Sequence, residues 1–268
     1  MMEKVLCQIQ QGIAEVRLNR PNKHNALDID MFQSLVQCSE SLMTRADLRA
    51  VILYGEGASF CAGLDFQSMM NVANAADVLL SKKKDQIANL AQQAAWGWMT
   101  LPVPVISVLH GAVFGGGLQI ALACDFRFAT HDTQLSVMET RWGLCPDMTL
   151  SQTLPKLVGI DVAKWLTYTS EVIHAEDAQR LGLITQIHDD PLEAARQCAQ
   201  KIARRSPDAI RASKYLLNTA PNCSVDEAFK IEESLQKDLM SRPNQREAVL
   251  AEFQKREPRF IDPAVTKT

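Results

Sequence analysis

The chain has 268 residues, of which 47% are hydrophobic and 22% are charged, as in an ordinary globular protein. Lys and Arg number 28 against 31 for Asp and Glu, so the net charge is −3 and a broadly basic, nucleic-acid-binding surface is excluded. No apolar run reaches the ~18 residues that suggest a membrane-spanning helix, and the opening segment MMEKVLCQIQ lacks the layout of a signal peptide. We therefore expect a cytoplasmic protein that binds neither nucleic acid nor membrane.

The cysteines and histidines form no recognisable metal or redox motif. The shortest spacing between two of the seven cysteines is 21 residues, so the CxxC pattern of zinc and dithiol sites does not occur. The GxSxG, HExxH and GxxxxGK motifs of hydrolases, zinc peptidases and phosphate-binding loops are also absent from the sequence. We expect reduced, mostly buried thiols, no metal site and no bound cofactor.

The first half of the chain alternates short apolar strands with helices. Around Gln11 and Gly12, alternating apolar and polar residues predict a β-hairpin of strands 4–10 and 13–19. Asp28 is placed to cap a helix that runs to about Met43. The further predicted elements are a strand at 50–54, a Met-rich helical stretch after 66, a helix at 75–99, a strand at 105–109, a helix at 118–124 and the strand-like segments FRFA and QLSVM. This alternation predicts an α/β protein with crossover connections.

The second half is mostly helical. After about residue 150 the one strand-like segment is LITQI at 183–187, and from residue 190 helix follows helix, with breaks at 206–207, 221 and 242–243. This shift in composition predicts a helical unit appended to an α/β core. We place the core at residues 1–200 and the helical region at residues 201–268.

Two glycine-rich turns follow apolar strands and are candidates for a ligand site. They are 61–65 and 110–118, and the second contains three successive glycines. Glycine lets the backbone approach a ligand closely, and the second turn opens a helix whose first N–H groups lack partners and carry a partial positive charge. One N–H group from each turn can form an oxyanion hole that stabilises an enolate. Tight packing of strand against helix explains the same glycines without a ligand.

Five segments in register resemble the crotonase superfamily, which is the enoyl-CoA hydratase/isomerase family. They are RPNKHNAL at 20–27, SFCAGLDF at 59–66, HGAVFGGGLQIALACDFRFA at 110–129, METRWGLCPD at 138–147 and SEVIHAEDAQRLGLI at 170–184. Residues 241–260 resemble the C-terminal signature of the family, so the resemblance covers essentially the whole chain. It implies an α/β crotonase (ClpP/crotonase-like) fold, a spiral of ββα units with a C-terminal helical trimerisation region, assembled as a homotrimer or a dimer of trimers.

The resemblance also implies an acyl-CoA substrate, so that coenzyme A is part of the substrate and not a separate cofactor. In the family, two backbone N–H groups hold the thioester carbonyl, and the matching residues here are Leu64 and Gly116. The segment KHNAL resembles the part of the family that packs on the adenine of coenzyme A. The candidate coenzyme A-binding residues are Lys23, Asn25, Ala26, Ala62 and Asp65. Physically, a turn and helix entry explains KHNAL equally well, and Asp65 can simply cap the next helix.

Three side chains decide which reaction the resemblance implies. Hydratases of the family use two glutamates, of which the first aligns with Gln119 and the second with Glu139. Glutamine can hydrogen-bond a water but cannot accept its proton. Asp147 lies where some isomerases of the family carry an acid, and a close second carboxylate raises one of the two pKa values.

We therefore expect Δ3,Δ2-enoyl-CoA isomerase-like activity, in which Glu139 moves a proton between two carbons. Asp147 is either a second acid or a group that orients Glu139. The first alternative is an enoyl-CoA hydratase in which Glu139 acts alone and Gln119 positions water. The second is an acyl-CoA-binding protein without turnover.

For the remaining candidate residues, a purely structural role is as well supported as a role in ligand binding, or better supported. Lys82, Lys83 and Lys84 can meet coenzyme A phosphates or form a solvated helix face. Trp142 and Met148 lie near the candidate acids in the sequence and can shape a pocket. Five further side chains can line an acyl tunnel or belong to the core: Met69, Met70, Trp96, Trp98 and Met99.

Overall fold

The N-terminal hairpin starts a six-stranded central sheet in the computed structural model, which describes residues 3–82 and 84–263. Strands β1 (Val5–Gln10) and β2 (Ile13–Leu18) pair antiparallel, as predicted. Gln11 and Gly12 both have positive φ, 51° and 77°, which is what a two-residue turn matching the strand twist requires.

The rest of the central sheet is parallel. Its further strands are β3 (Ala50–Gly55), β4 (Val105–Leu109), β6 (Phe126–Ala129) and β9 (Gln186–Ile187), in the spatial order β1-β2-β3-β4-β6-β9. Strand β4 is buried along its whole length, which explains why it is apolar apart from Ser107. A second sheet contains β5 (Ala112–Phe114), β7 (Gln134–Ser136) and β8 (Ile173–His174).

Helices cover both faces of the central sheet. Helix α1 (Ile29–Met43) begins where Asp28 accepts a 2.9 Å hydrogen bond from the Met31 N–H, as predicted. Its buried side chains join the main core, to which Val51 and Leu53 of β3 contribute. The alternate residue Ile52 faces the other side and packs with Ala195 of α9 (Pro191–Ala203).

The single helix predicted over 75–99 is wrong. After α2 (Phe66–Met70), the chain forms α3 (Ala75–Leu80) and then α4 (Leu90–Thr100), and the described residues between these two helices, 81–82 and 84–89, are not helical. A capping box between Asn89 and Gln92 starts α4 independently. The charged segment before it has no apolar stripe to bury, so packing does not hold it in a helix. Lys82 and Lys84 are exposed in this segment, and Lys83 lies outside the described residues.

The C-terminal half is helical, as predicted. Its helices after the glycine-rich α5 (Gly116–Leu122) are α6 (Leu150–Val158), α7 (Ile160–Thr169), α8 (Ala175–Arg180), α9, α10 (Pro207–Thr219), α11 (Val225–Met240) and α12 (Pro243–Phe253). The predicted breaks at 206–207 and 242–243 are places where proline occupies the first helical turn. Across 3–82 and 84–263, no helix is both long enough and apolar enough to span a bilayer.

Candidate active site

The two glycine-rich turns lie against each other. Cys61 and Val113 form an isolated parallel bridge, in which the Cys61 N–H donates to the Ala112 carbonyl at 3.1 Å and the Phe114 N–H donates to the Cys61 carbonyl at 3.0 Å. Gly63 has φ +87°, and a Cβ placed there would lie 2.8 Å from the Phe114 carbonyl oxygen. A side chain at residue 63 would therefore push the two turns apart.

Each turn contains a backbone N–H group that donates no backbone hydrogen bond among the described residues. The residues on either side of Leu64 bond to Leu27: the Leu27 N–H donates to Gly63 at 2.7 Å, and the Asp65 N–H donates to the Leu27 carbonyl at 2.9 Å. Because N–H groups alternate in extended chain, the Leu64 N–H faces the other side. Gly116 is the first residue of α5, where an N–H has no partner inside the helix.

Glu139 lies directly over the start of α5. It opens a 3₁₀ turn (Glu139–Trp142) and is 9% exposed. A Cβ built on Gly115 would lie 3.2 Å from Glu139 Oε1, so the carboxylate occupies the space that any side chain at residue 115 would need. Gly115 has φ 51° and ψ −121°, a conformation that only glycine adopts readily.

Gln119 connects Glu139 to the segment that follows it. Its Nε2 donates to Glu139 Oε1 at 2.6 Å, and its Oε1 accepts from the Met148 backbone N–H at 2.8 Å. Gln119 is fully buried, so its amide is held by protein on both sides. Glu139 Oε2 is also buried but has no hydrogen-bond partner among the described residues. One oxygen of the carboxylate is therefore fixed and the other is free.

Burial controls the acidity of both candidate acids. Burial raises the pKa of Glu139, and the charge of Asp147 raises it further, whereas backbone hydrogen bonds at Glu139 and Met138 and the hydrogen bond from Gln119 act in the opposite direction. Burial also raises the pKa of Asp147, although its side chain stays accessible to solvent. The two carboxyl groups are thus close enough to influence each other without a direct hydrogen bond among the described contacts.

A cavity of about 390 Å³ adjoins Asp147. Its other lining residues include Trp96 and Gln92 of α4 and Leu150 of α6, so it is an open cleft between the start of α4 and the 145–152 segment. Of the other tunnel candidates, Trp98 is fully buried in the core, Met69 and Met99 pack against that core, and Met70 is 80% exposed. Met148 is buried, with its sulfur near Gly116, and Trp142 stacks on Phe66 at a ring separation of 4.7 Å.

The candidates on the coenzyme A side divide into two groups. Lys23 is exposed, and Ala26 and Ala62 are partly exposed beside it. Asn25 is fully buried: its Oδ1 accepts from the Arg20 N–H at 2.8 Å, and its Nδ2 donates to the Ser59 carbonyl at 2.8 Å. The Asn25 side chain therefore holds two loops together and does not face a ligand.

Asp65 also has its side chain engaged within the protein. It caps α2 by accepting from Ser68 at 3.0 Å, and it forms a 2.7 Å ion pair with Arg20. Burial alone would raise the pKa of Asp65, but the hydrogen bonds from Ser68 and Arg20 outweigh it and lower the pKa to about 2.

Sequence reasoning did not single out Arg20, which joins three parts of the site. Beside its ion pair with Asp65, its guanidinium donates to the Ala26 carbonyl at 2.9 Å and lies 3.3 Å from Asp28. Arg20 thereby ties the 20–27 turn to the Leu64 turn and to the start of α1. No local pattern signals this role, because Arg20 and Asp65 are far apart in the sequence.

Comparison with known proteins gives first the fold and then the family. A crystal structure of a putative enoyl-CoA hydratase from Streptomyces coelicolor superposes with a TM-score of 0.88 at 30% identity, over 96% of this chain and 94% of that one. The predicted α/β crotonase fold with a C-terminal helical region is thus confirmed. A family model described as Enoyl-CoA hydratase/isomerase matches residues 8–263, and the chain belongs to that family.

Two curated relatives carry different names within the family. The putative enoyl-CoA hydratase/isomerase YngF of Bacillus subtilis is 31% identical over 92% of this chain and 93% of its own length. The mitochondrial Delta(3,5)-Delta(2,4)-dienoyl-CoA isomerase of Mus musculus is 30% identical over 94% of this chain and 80% of its own length. Identity of about 30% shows the family but does not show which reaction the chain catalyses, so that question depends on the residues of the site.

Proposed function

We propose that this protein is an acyl-CoA enzyme that shifts a carbon–carbon double bond, with Glu139 as the group that moves the proton. The observation that carries the proposal is the asymmetry of the Glu139 carboxylate: Oε1 is fixed by Gln119, while the buried Oε2 has no described partner. A free, desolvated oxygen beside two backbone donors suits removal of a proton next to a thioester.

The reaction proceeds through an enolate. The thioester oxygen accepts hydrogen bonds from the Leu64 and Gly116 N–H groups, each contributing on the order of 3 kcal/mol to the transition state. Glu139 removes a proton from C2 of a 3-enoyl-CoA, the double bond moves to C2–C3, and the proton is returned at C4. Because the step moves a proton and transfers no electrons to a second group, the chemistry requires no cofactor beyond the coenzyme A of the substrate.

A dienoyl-CoA is the second candidate substrate. In a 3,5-dienoyl-CoA the proton leaves C2 and is returned at C6, four bonds away, which suits two carboxyl groups better than one. Asp147 supports this variant because it lines the cavity and its charge reaches Glu139. The name of the mouse relative gives it further support.

Hydration is less well supported. It requires a group that holds a water and takes its proton, and Gln119 is occupied by Glu139 Oε1 and the Met148 N–H. Gln119 instead serves as a positioning residue for Glu139. Binding of acyl-CoA without turnover leaves unexplained a buried carboxylate whose free oxygen lies beside the two turns.

The proposed assembly is a homotrimer or a dimer of trimers. The C-terminal helices support it because large apolar side chains on them are exposed, among them Leu217 at 71%, Phe229 at 63% and Phe253 at 82%. We assign the coenzyme A end of the substrate to Lys23, Ala26 and Ala62, which remain accessible. Light scattering of the purified protein measures the assembly directly.

The reaction is tested with three substrates, followed by mass spectrometry. Incubation with 3-enoyl-CoA, 2-enoyl-CoA and 3,5-dienoyl-CoA separates the candidates, since isomerisation leaves the mass unchanged and hydration adds one water. We expect conversion of a 3-enoyl-CoA or a 3,5-dienoyl-CoA without mass change. Addition of water to 2-enoyl-CoA as the main activity, or binding with no conversion of any substrate, would contradict the proposal.

A further inference from the structure

Two aromatic side chains meet between the segments that carry the proposed catalytic groups. Phe66 follows Leu64, the first proposed oxyanion donor, by two residues, and Trp142 follows Glu139, the proposed base, by three. The ring centroids of Phe66 and Trp142 lie 4.7 Å apart and their planes are inclined at 37°, a favourable arrangement for an aromatic pair. This aromatic pair therefore bridges the segment of the donor and the segment of the base.

The local helix geometry places Trp142 on the same side as Glu139. Residues Glu139–Trp142 form a 3₁₀ helix, in which side chains three residues apart lie above one another. The indole ring therefore extends from the same face of the turn as the Glu139 carboxylate, and it contacts Phe66 there. Trp142 is 56% exposed, so the aromatic pair lies at the surface of the molecule.

Glu139 is buried although the chain that follows it is exposed. Residues 140–145 are all exposed, whereas Glu139 is 9% exposed and its free Oε2 is buried. A carboxylate that opens an exposed turn needs a cover on the solvent side, and the aromatic pair lies on that side. Neither ring lines the cleft beside Asp147, so the pair leaves an approach from the cleft open.

We propose that the aromatic pair excludes water from Glu139, so that the proton removed from C2 of a 3-enoyl-CoA is the same proton that is returned at C4. This inference rests on the proposed isomerisation. The C2–H bond breaks as an O–H bond forms on Oε2, and that O–H bond breaks as the C4–H bond forms, so no proton enters from solvent. A site that excludes water prevents the loss of a transferred proton to solvent. Without the pair, the protonated carboxyl group would exchange with water before the return step.

Isomerisation in deuterium oxide tests the path of the proton. With 3-hexenoyl-CoA as substrate and the reaction stopped at low conversion, we expect most of the product of the unmodified protein to carry no deuterium. Most of the product of Trp142→Ala should be one mass unit heavier. Trp142→Phe keeps a ring that can contact Phe66 and should restore most of the retention. Trp165→Ala is the matched control, because Trp165 is 60% exposed and lies outside the pair, and it should behave like the unmodified protein.

Carbodiimide labelling tests the cover over Glu139 without turnover. Trypsin places Glu139 in the fragment 128–141, whose other carboxyl side chain is the exposed Asp132. In the unmodified protein, Glu139 should be labelled at least about tenfold more slowly than Asp132, because a covered group reacts only through local opening. Trp142→Ala should remove most of this difference. Tandem mass spectrometry of the fragment gives the two labelling rates.

The two experiments separate this inference from the proposed function. Solvent deuterium in the first product of the unmodified protein, or equal labelling of Glu139 and Asp132, would overturn the inference. It would also fail if Trp142→Ala changed neither readout, or if Trp165→Ala changed them equally. A protein that isomerises no 3-enoyl-CoA would contradict the proposed function and with it the path of the proton, while the labelling rates would still decide whether the pair covers Glu139.

Discussion

At the scale of single residues, Glu139 concentrates the proposed chemistry in one oxygen atom. Replacement Glu139→Gln keeps the size of the side chain and an oxygen that can accept from Gln119, but removes the base. We expect isomerisation to fall by roughly 10²–10⁴-fold, the usual contribution of general acid–base catalysis. Steady-state rates give the loss, and calorimetric binding of a saturated acyl-CoA should be unchanged. Retention of more than a tenth of the activity would refute the assignment of Glu139.

The same substitution should change stability in a pH-dependent way. Burial raises the pKa of Glu139 in the folded protein above its value in the unfolded chain. The carboxyl group therefore contributes stability at pH values below the unfolded pKa, and this contribution is lost as the pH rises through the folded pKa. Glu139→Gln should therefore be more stable than the parent at pH 7, with a difference that shrinks near pH 4. Urea unfolding at the two pH values measures it. A constant difference would show that the charge of Glu139 is not the cause.

Gly115 is the residue that leaves room for Glu139. Gly115→Ala places a methyl group 3.2 Å from Glu139 Oε1 and forces alanine into a glycine conformation. The backbone strain alone should cost about 1–3 kcal/mol, and activity should fall because the carboxylate must move. Thermal unfolding and rates measure the two effects. Gly143 is the control position, because it also has positive φ but a Cβ placed there meets no other atom. Gly143→Ala should therefore destabilise the fold without displacing Glu139.

At the scale of elements, Arg20 holds the Leu64 turn against the start of α1. Arg20→Gln removes the ion pair with Asp65 and should release the turn that presents the Leu64 N–H. We expect a fall in kcat larger than the rise in KM, and Arg20→Lys should restore part of it. A rise in KM alone would place Arg20 in substrate binding. Arg17→Gln, which removes a surface ion pair with Glu56, is the matched control.

Local signals account for the elements that the sequence predicted. The hairpin turn at Gln11 and Gly12, the Asp28 cap and the helix breaks at 206–207 and 242–243 are each specified by neighbouring residues, and each was predicted. The break before α4 is not predicted, because the sequence of 75–99 predicts one continuous helix across its charged middle. Glu139, Gln119 and Asp147 were found through resemblance. The link from Gln119 to Met148 joins separate segments, so no local pattern predicts it.

At the scale of the whole molecule, an ion pair between a buried lysine and a partly exposed aspartate joins the C-terminal helices to the core. Lys214 of α10 lies 2.7 Å from Asp125 and donates to the Val103 carbonyl at 2.9 Å. Lys214→Met removes the charged partner of Asp125, which keeps only the hydrogen bond from the Val105 N–H, and because Asp125 is partly exposed the loss should be about 1–3 kcal/mol. Urea unfolding measures the loss. Lys156→Met removes an exposed lysine that contacts Asn222 and should change stability by less than about 0.5 kcal/mol.

The bridge between Cys61 and Val113 has a further consequence for the molecule. Because the two glycine turns are hydrogen-bonded to each other as well as to their own strands, the N–H groups of Leu64 and Gly116 cannot change their separation without breaking backbone bonds. The proposed oxyanion donors are therefore preorganised: charge that develops on a thioester oxygen would meet dipoles already aligned, with little reorganisation energy. Ligand-free and ligand-bound forms should then differ around the cleft in side chains, with the two turns unchanged.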